Sequence, residues 1–149
     1  MSADCRPTVT VRPARDAAEA AAAQDLRVRV FCDEQGVALE EELDGLDDDA
    51  VQIVALDESG VVATCRLRFV GEACKLERMA VGRRLRGLGV GTRLLAAAED
   101  EARAAGARTV LLHAQRRVEG FYATGGYAAD GETFMEAGIE HVAMRKEFR

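Results

Sequence analysis

The stretch Leu76-Glu77-Arg78-Met79-Ala80-Val81, followed by Arg86-Gly87-Leu88-Gly89-Val90-Gly91, decides the fold. The first six residues are typical of a strand, and the second six form a basic, glycine-rich turn. A helix after the turn, ending at Gly106, is predicted by apolar residues at helical spacing, namely Leu94, Leu95, Ala98, Ala102 and Ala105. Backbone N–H groups at a helix start lack intrahelical partners, and the helix dipole is positive there. The turn is therefore predicted to bind an anion.

The two common nucleotide-binding loops do not match this turn. The P-loop pattern GxxxxGK[ST] is absent, and a GxGxxG pattern counted from Gly87 and Gly89 would need a glycine where Thr92 stands. The turn also follows the fourth predicted strand, whereas a dinucleotide loop belongs to an opening βαβ unit. A nucleotide-binding protein of another fold is thus disfavoured by the spacing.

Hydrophobic periodicity and turn residues predict the other elements. They are a strand Thr8–Arg12, a helix over about 16–30, a short second helix or loop, a hairpin of Val51–Leu56 and Val61–Val70, a strand Cys74–Val81, a strand Thr109–Ala114, a short helix Arg116–Thr124, and closing strands Thr133–Glu136 and Glu140–Phe148. The order β-α-(α)-β-β-β-α-β-α-β-β predicts an α/β class, with an α+β mixed sheet and helices on its faces.

Strict alternation along the strand Cys74–Val81 predicts which side chains share a face. Lys75, Glu77, Met79 and Val81 are expected on one face, and Leu76, Arg78 and Ala80 on the other.

Length and composition predict one domain over residues 1–149. The chain is 48% hydrophobic and 31% charged, which is ordinary for a globular protein. No apolar run approaches the roughly 20 residues of a membrane span, so no membrane association and a cytoplasmic location are expected. Four cysteines without CxxC spacing and only two histidines predict free thiols and no metal site.

The net charge of −6 is unevenly distributed. Eleven acids and no Lys or Arg lie between Phe31 and Gly60, so the rest of the chain carries a net positive charge. This acidic segment is either a solvated loop or a rim that attracts a cationic substrate. Whole-chain acidity argues against nucleic-acid binding, although a basic patch could hold a phosphorylated small molecule.

Three stretches together resemble one family. Arg86–Gly91 matches the [Gln/Arg]-x-x-Gly-x-[Gly/Ala] pyrophosphate loop of the GNAT superfamily of acetyl-CoA-dependent N-acetyltransferases. Leu76–Val81 resembles the fourth strand of that family, and Gly120–Tyr127 resembles its Phe-Tyr-x-x-x-Gly-[Phe/Tyr] segment. Val30-Phe31, together with Glu34-Gln35 and the acidic stretch to Asp48, looks like a bacterial subgroup of mostly unassigned substrate. The resemblance implies a GNAT-like acyl-CoA N-acyltransferase fold, with acetyl-CoA as cosubstrate and no metal.

The resemblance also implies a set of cofactor-binding residues. Main-chain groups of the fourth strand would pair with the pantetheine arm, and an N–H near Met79 would stabilise the thioester oxyanion. Amides of the turn would hold the pyrophosphate. Gln115 stands where many relatives have Asn, and it offers the same amide on a longer stem. The implied cofactor residues are Met79, Ala80, Val81, Arg86, Gly87, Leu88, Gly89, Val90, Gly91, Thr92 and Gln115.

The implied chemistry is direct attack of a primary amine on the thioester. Tyr122 is the implied general acid, since a phenol is protonated at neutral pH. The amine must lose a proton, for which Glu77, a water chain or His113 are the candidates. The candidate residues of the substrate pocket are Glu34, Glu136 and His141.

The expected acceptor is a cationic small-molecule or peptide amine. A homodimer is possible, because an exposed final strand often mediates dimers in this family. The alternative is a catalytically silent acyl-CoA-binding module that senses the cofactor or docks to a partner.

Overall fold

The computed structural model describes residues 8–148, whose strands form a single mixed sheet. The strands are β1 (Thr10–Pro13), β2 (Val51–Asp57), β3 (Gly60–Val70), β4 (Ala73–Val81), β5 (Thr109–Gln115), β6 (Ala128–Ala129), β7 (Phe134–Glu136) and β8 (Ile139–Glu147). The helices are α1 (Ala17–Arg27), α2 (Leu39–Glu42), α3 (Val90–Ala104) and α4 (Glu119–Thr124).

The strand order is β1-β2-β3-β4-β5-β8-β6, with β7 also paired to β8. All the pairs are antiparallel except β4 with β5. The predicted element order and fold class are therefore confirmed, with the two-residue strand β6 as an addition.

The first helix is longer than its apolar stripe predicts. Asp16 caps α1, because its carboxylate accepts a hydrogen bond of 2.8 Å from the Glu19 N–H. Beyond α1 the chain continues as a π-helical segment, Val28–Glu34, and Gly36 follows in the left-handed region at φ 74°. Gly36 follows the end of the helical region, as predicted, but this region extends four residues beyond Val30.

The two faces of the sheet carry different helices. Leu94 of α3 is fully buried in the main core, which also contains Tyr122 of α4. On the opposite face, Leu26 of α1 packs with Val30 and Ala80. We call these the α3 face and the α1 face.

Strand β4 contains a bulge that reverses its alternation. Arg66 of β3 pairs with Glu77, but Thr64 pairs with Ala80, so β4 has one extra residue opposite Cys65. Arg78 supplies the distortion, with φ of 58°. A non-glycine residue in this region is uncommon and marks a constrained backbone.

The bulge corrects the prediction for the faces of β4. Met79 and Val81 pack against the core of the α3 face, together with Leu76. Glu77 lies on the α1 face with Ala80, because their partners Arg66 and Thr64 are two residues apart on β3. The expectation that Glu77 and Met79 share a face is wrong, since strict alternation does not allow for an inserted residue.

Strands β4 and β5 separate at their carboxyl ends. Their parallel pairing runs from Ala73 with Thr109 to Leu76 with Leu112 and stops there. Beyond this point β5 continues only with β8, up to Gln115. The sheet therefore has an opening beside the bulge.

Two buried arginines hold the acidic segment against the sheet. Arg27 Nε lies 2.6 Å from Glu42, and Arg27 Nη1 lies 2.7 Å from Asp47. Arg66, which is fully buried, binds Asp44 at 2.8 Å and Asp47 at 3.1 Å. Removing one partner of such a buried pair leaves an uncompensated charge.

These ion pairs account for part of the acidic segment. Five of its eleven acids bind arginines, namely Glu34, Glu42, Asp44, Asp47 and Asp57. These five acids are therefore neither free in solvent nor part of a free anionic rim. The charge of the segment serves to attach the chain around α2 to β3.

Cysteines Cys65 and Cys74 are buried in the core, and Cys32 is half-buried; all three are free thiols. Cys5 lies outside the described residues.

The Asp44–Arg66 pair predicts an acid-sensitive stability. Hydrogen bonds from Arg66 hold the pKa of Asp44 well below its usual range. A lowered native pKa contributes stability that is complete above the unfolded pKa and is lost as the pH falls through the native one. In Asp44→Asn we expect lower stability at pH 7 and a smaller further loss between about pH 5 and pH 2. Urea unfolding midpoints measured across this pH range test the prediction.

Asp49→Asn is the matched control, because Asp49 is exposed and lies in the same segment. Its midpoints should follow the wild type at every pH. Parallel curves for Asp44→Asn and the wild type would contradict the assigned role of the pair.

Candidate active site

The glycine-rich turn presents free amides at the start of α3. Gly87 and Gly89 have φ of 74° and 86°, in the region that favours glycine. The first hydrogen bond of the helix runs from the Arg93 N–H to the Gly89 carbonyl. The N–H groups of Val90, Gly91 and Thr92 therefore have no partner within the helix. This arrangement fits a diphosphate.

Arg86 links the turn to the elements on either side. Its Nε donates to the Val81 carbonyl at 2.9 Å, and its guanidinium binds Glu34 at 2.7 Å. Glu34 thus lies beside the turn and outside the lining of the cavity described next. Its predicted contact with the acceptor remains a prediction.

A cavity of about 570 Å³ lies at the opening between β4 and β5. Ligand sites are commonly concave spaces of this size. Seven residues singled out in the sequence line it, namely Glu77, Met79, His113, Gln115, Tyr122, Glu136 and His141. Ala80 is instead buried on the α1 face.

Tyr122 reaches the cavity from the α3 face. Its ring is buried against Phe121 and Tyr127 in edge-to-face contacts, and its hydroxyl donates to Met79 Sδ at 3.6 Å. Burial raises the pKa of the phenol above its ordinary value. The hydroxyl therefore keeps its proton at neutral pH and can donate it.

Glu77 lies on the other face, between two arginines. Arg66 binds its carboxylate at 3.1 Å, and Arg68 Nε forms a short hydrogen bond with it. Burial acts to raise the pKa of Glu77, but the hydrogen bond from Arg68 and the charge of Arg66 hold it below its usual value. The side chain is an ionised acceptor at neutral pH.

Both histidines of the chain meet Glu136 at the cavity wall. His113 Nδ1 lies 3.0 Å from Glu136 Oε1, and His141 Nε2 lies 3.7 Å from Glu136 Oε2. Phe134 contacts both imidazoles. The His141 ring is buried, with Nδ1 2.7 Å from the Ile139 carbonyl, whereas His113 is more open to the cavity.

Gln115 is held at the end of β5 by two hydrogen bonds. Its amide nitrogen donates to Gln35 at 2.8 Å, and its oxygen accepts from Arg117 Nε at 2.9 Å. The amide is thus oriented at the mouth of the opening.

The cavity and network residues that were missed from the sequence include Arg66, Arg68 and Lys75. A signal was present, because Arg66 and Arg68 interrupt the apolar run Val61–Val70. Charged residues inside a buried strand indicate ion pairs or a ligand.

Between residues 8 and 148 no group of three or more His, Cys, Asp or Glu side chains is arranged to hold a metal ion. Within the same residues no helix has the length and hydropathy needed to cross a membrane.

Comparisons with known proteins agree with this geometry. The model of the acetyltransferase (GNAT) domain matches residues 17–148. The uncharacterized N-acetyltransferase YjcF of Bacillus subtilis is 37% identical over 123 residues, covering 82% of this chain and 88% of YjcF.

Solved structures share the fold over nearly the whole chain. An acyl-CoA N-acyltransferase from Pseudomonas aeruginosa aligns with a TM-score of 0.82 at 27% identity, covering 94% of this chain and 99% of that one. Escherichia coli ElaA shares the fold with a TM-score of 0.84 at 24% identity, covering 94% and 100%. The protein therefore belongs to the GNAT family of acetyltransferases and is an acyltransferase.

Proposed function

We propose that the protein transfers an acetyl group from acetyl-CoA to a primary amine by direct attack. The observation that carries the proposal is the opening between β4 and β5, with a protonated phenol on the α3 face and a carboxylate on the α1 face. A thioester in this opening can be approached from one face while its leaving group is protonated from the other.

The cofactor is assigned to the α3 face and the edge of β4. The diphosphate binds the free amides that follow Gly89, where the helix dipole adds positive charge. The pantetheine arm runs along Met79–Val81, because this edge of β4 is not paired with β5. The Gln115 amide contacts the arm from the opposite side of the opening.

The reaction forms a C–N bond and breaks a C–S bond, while the nitrogen loses one proton and the sulfur gains one. The lone pair of the amine attacks the thioester carbon, and the oxyanion is stabilised by an N–H near Met79. With the C–N bond formed, the attacking nitrogen releases a proton to water, and the oxyanion collapses with cleavage of the C–S bond. The thiolate takes the proton of the Tyr122 hydroxyl, which is restored from solvent.

The ammonium form of the acceptor must first release a proton, and we assign this step to Glu77 through a water molecule. Glu77 is ionised and faces the acceptor side, although its two arginine partners make it a weak base. His113, paired with Glu136, is the second candidate. Both residues line the same cavity.

The acceptor is proposed to bind as a cation at the mouth of this cavity. Glu40 and Glu41 of α2 contribute carboxylates to the lining. Such groups favour the approach of an ammonium ion from solvent.

Replacing the proposed acid tests the assignment directly. Tyr122→Phe removes only the hydroxyl, so we expect kcat for thiol release from acetyl-CoA to fall about 100-fold, as for loss of a general acid. Polyamines, amino sugars, aminoglycosides and peptides serve as acceptors. Thermal stabilisation by CoA should remain within error of the wild type, because the cofactor amides are unchanged.

An unchanged rate in Tyr122→Phe would contradict the role of the hydroxyl. CoA-dependent stabilisation of the wild type without turnover on any amine would favour the silent CoA-binding module instead.

The two candidate bases are separated by the basicity of the acceptor. A base matters for an amine that is charged at pH 7 and is dispensable for one that is already neutral. We expect Glu77→Gln to reduce kcat/KM about 100-fold for a strongly basic amine and far less for trifluoroethylamine. His113→Gln, as the matched variant, should reduce both to a similar, small extent.

If His113→Gln instead reduces kcat/KM much more for the strongly basic amine than for trifluoroethylamine, His113 is the base. A loss in Glu77→Gln that is equal for both amines would indicate a purely structural role for Glu77.

A further inference from the structure

Two cations face each other across β3 and β4 at the cavity. Arg68 is the register partner of Lys75, so their side chains leave the same face of the sheet at neighbouring positions. Both residues line the cavity. Like charges placed directly opposite on a sheet destabilise it unless another group compensates them.

Among residues 8–148, acidic side chains compensate the positive charges of Arg68 and Lys75 only in part. Arg68 is bound by Glu77, but that carboxylate is shared with Arg66. No ion pair of Lys75 occurs within the described part of the chain. By contrast, Lys146, the only other lysine of the sequence, is held by Glu99 at 2.9 Å. Lys75, a half-buried residue and the cross-strand neighbour of Arg68, therefore lines the cavity without an ion pair among the described residues.

The position of the Arg68–Lys75 pair relative to the opening sets the distance between the two ends of a bound acceptor. Lys75 lies where β4 is still paired with β5, opposite Leu111. Two residues further along each strand are Glu77 and His113, the candidate bases. Two residues of a strand span roughly 6.6 Å. An amine at the bases and an anion at the Arg68–Lys75 pair would be separated by about this distance.

We propose that the acceptor is an ω-amino carboxylic acid, whose carboxylate binds Lys75 and Arg68 while its amine reaches the opening. This inference rests on the proposed N-acetyltransferase function and specifies its substrate class. The carboxylate completes the charge balance of the cross-strand pair. Glu40 and Glu41 at the mouth attract the ammonium end, so the two ends of the acceptor are distinguished.

The test uses three acceptors of matched chain length. 5-Aminopentanoate carries the carboxylate, 5-aminopentanamide replaces it with a neutral amide, and pentylamine lacks it. In wild-type protein, thiol release should show the highest kcat/KM for 5-aminopentanoate. Lys75→Met should lower that value about tenfold or more and leave pentylamine within about twofold, since only one charged contact is lost.

Arg145→Met is the control variant. Arg145 is the register partner of Leu111, on the same row of the sheet, but it lies outside the cavity lining and binds Glu147. Its acceptor preference should equal that of the wild type.

A binding measurement keeps the proposal independent of turnover. With CoA present, 5-aminopentanoate should raise the Tm of the wild type more than pentylamine does, and Lys75→Met should abolish the difference. If this holds while no amine releases thiol, the proposed function fails and the carboxylate site stands. If amines are acetylated without preference for 5-aminopentanoate, or Lys75→Met changes neither readout, the inference is overturned and the acetyltransferase function stands. Absence of both turnover and the Tm difference overturns both.

Discussion

The extra residue at Arg78 in β4 is the constraint from which the site arises. Pairing between β4 and β5 ends at Leu76 and Leu112, immediately before the bulge. The unpaired edge supplies backbone groups inside the molecule, where such groups need partners. The reversal of alternation also turns Met79 towards Tyr122 and leaves Glu77 on the opposite face. The opening and the two-sided arrangement thus have one cause.

The arginine network stabilises the α1-face side of this opening. Arg78, at the bulge, binds Glu42 at 2.8 Å, and Glu42 is also held by Arg27 of α1. Arg66 connects the same acidic segment with Glu77. The segment, the bulge and Glu77 are therefore parts of one connected set of charges. A change at one member is expected to affect the others, because buried charges depend on their partners.

The environments of the two proposed catalytic groups shift their pKa values in opposite directions. An apolar surrounding raises the pKa of Tyr122, which keeps the proton that the leaving thiolate needs. Arginine partners lower the pKa of Glu77, which keeps it ionised on the side of the amine. Pairs of titratable groups whose pKa values are separated in this way are characteristic of acid and base roles. The cross-strand cations Arg68 and Lys75 add a third charged feature to the acceptor side.

Local sequence determined the elements and the glycine-rich turn. Gly87 and Gly89, the cap at Asp16 and the apolar stripe of α3 act over a few residues, so their patterns can be identified without coordinates. The family resemblance pointed to Tyr122 and to the glycine-rich turn for the same reason. Only the tertiary structure decided which face Glu77 takes, since one inserted residue reverses a two-residue period. It also decided that the acidic segment is bound by arginines and that Lys75 faces Arg68, because these partners are distant in sequence and meet only through the register of the sheet.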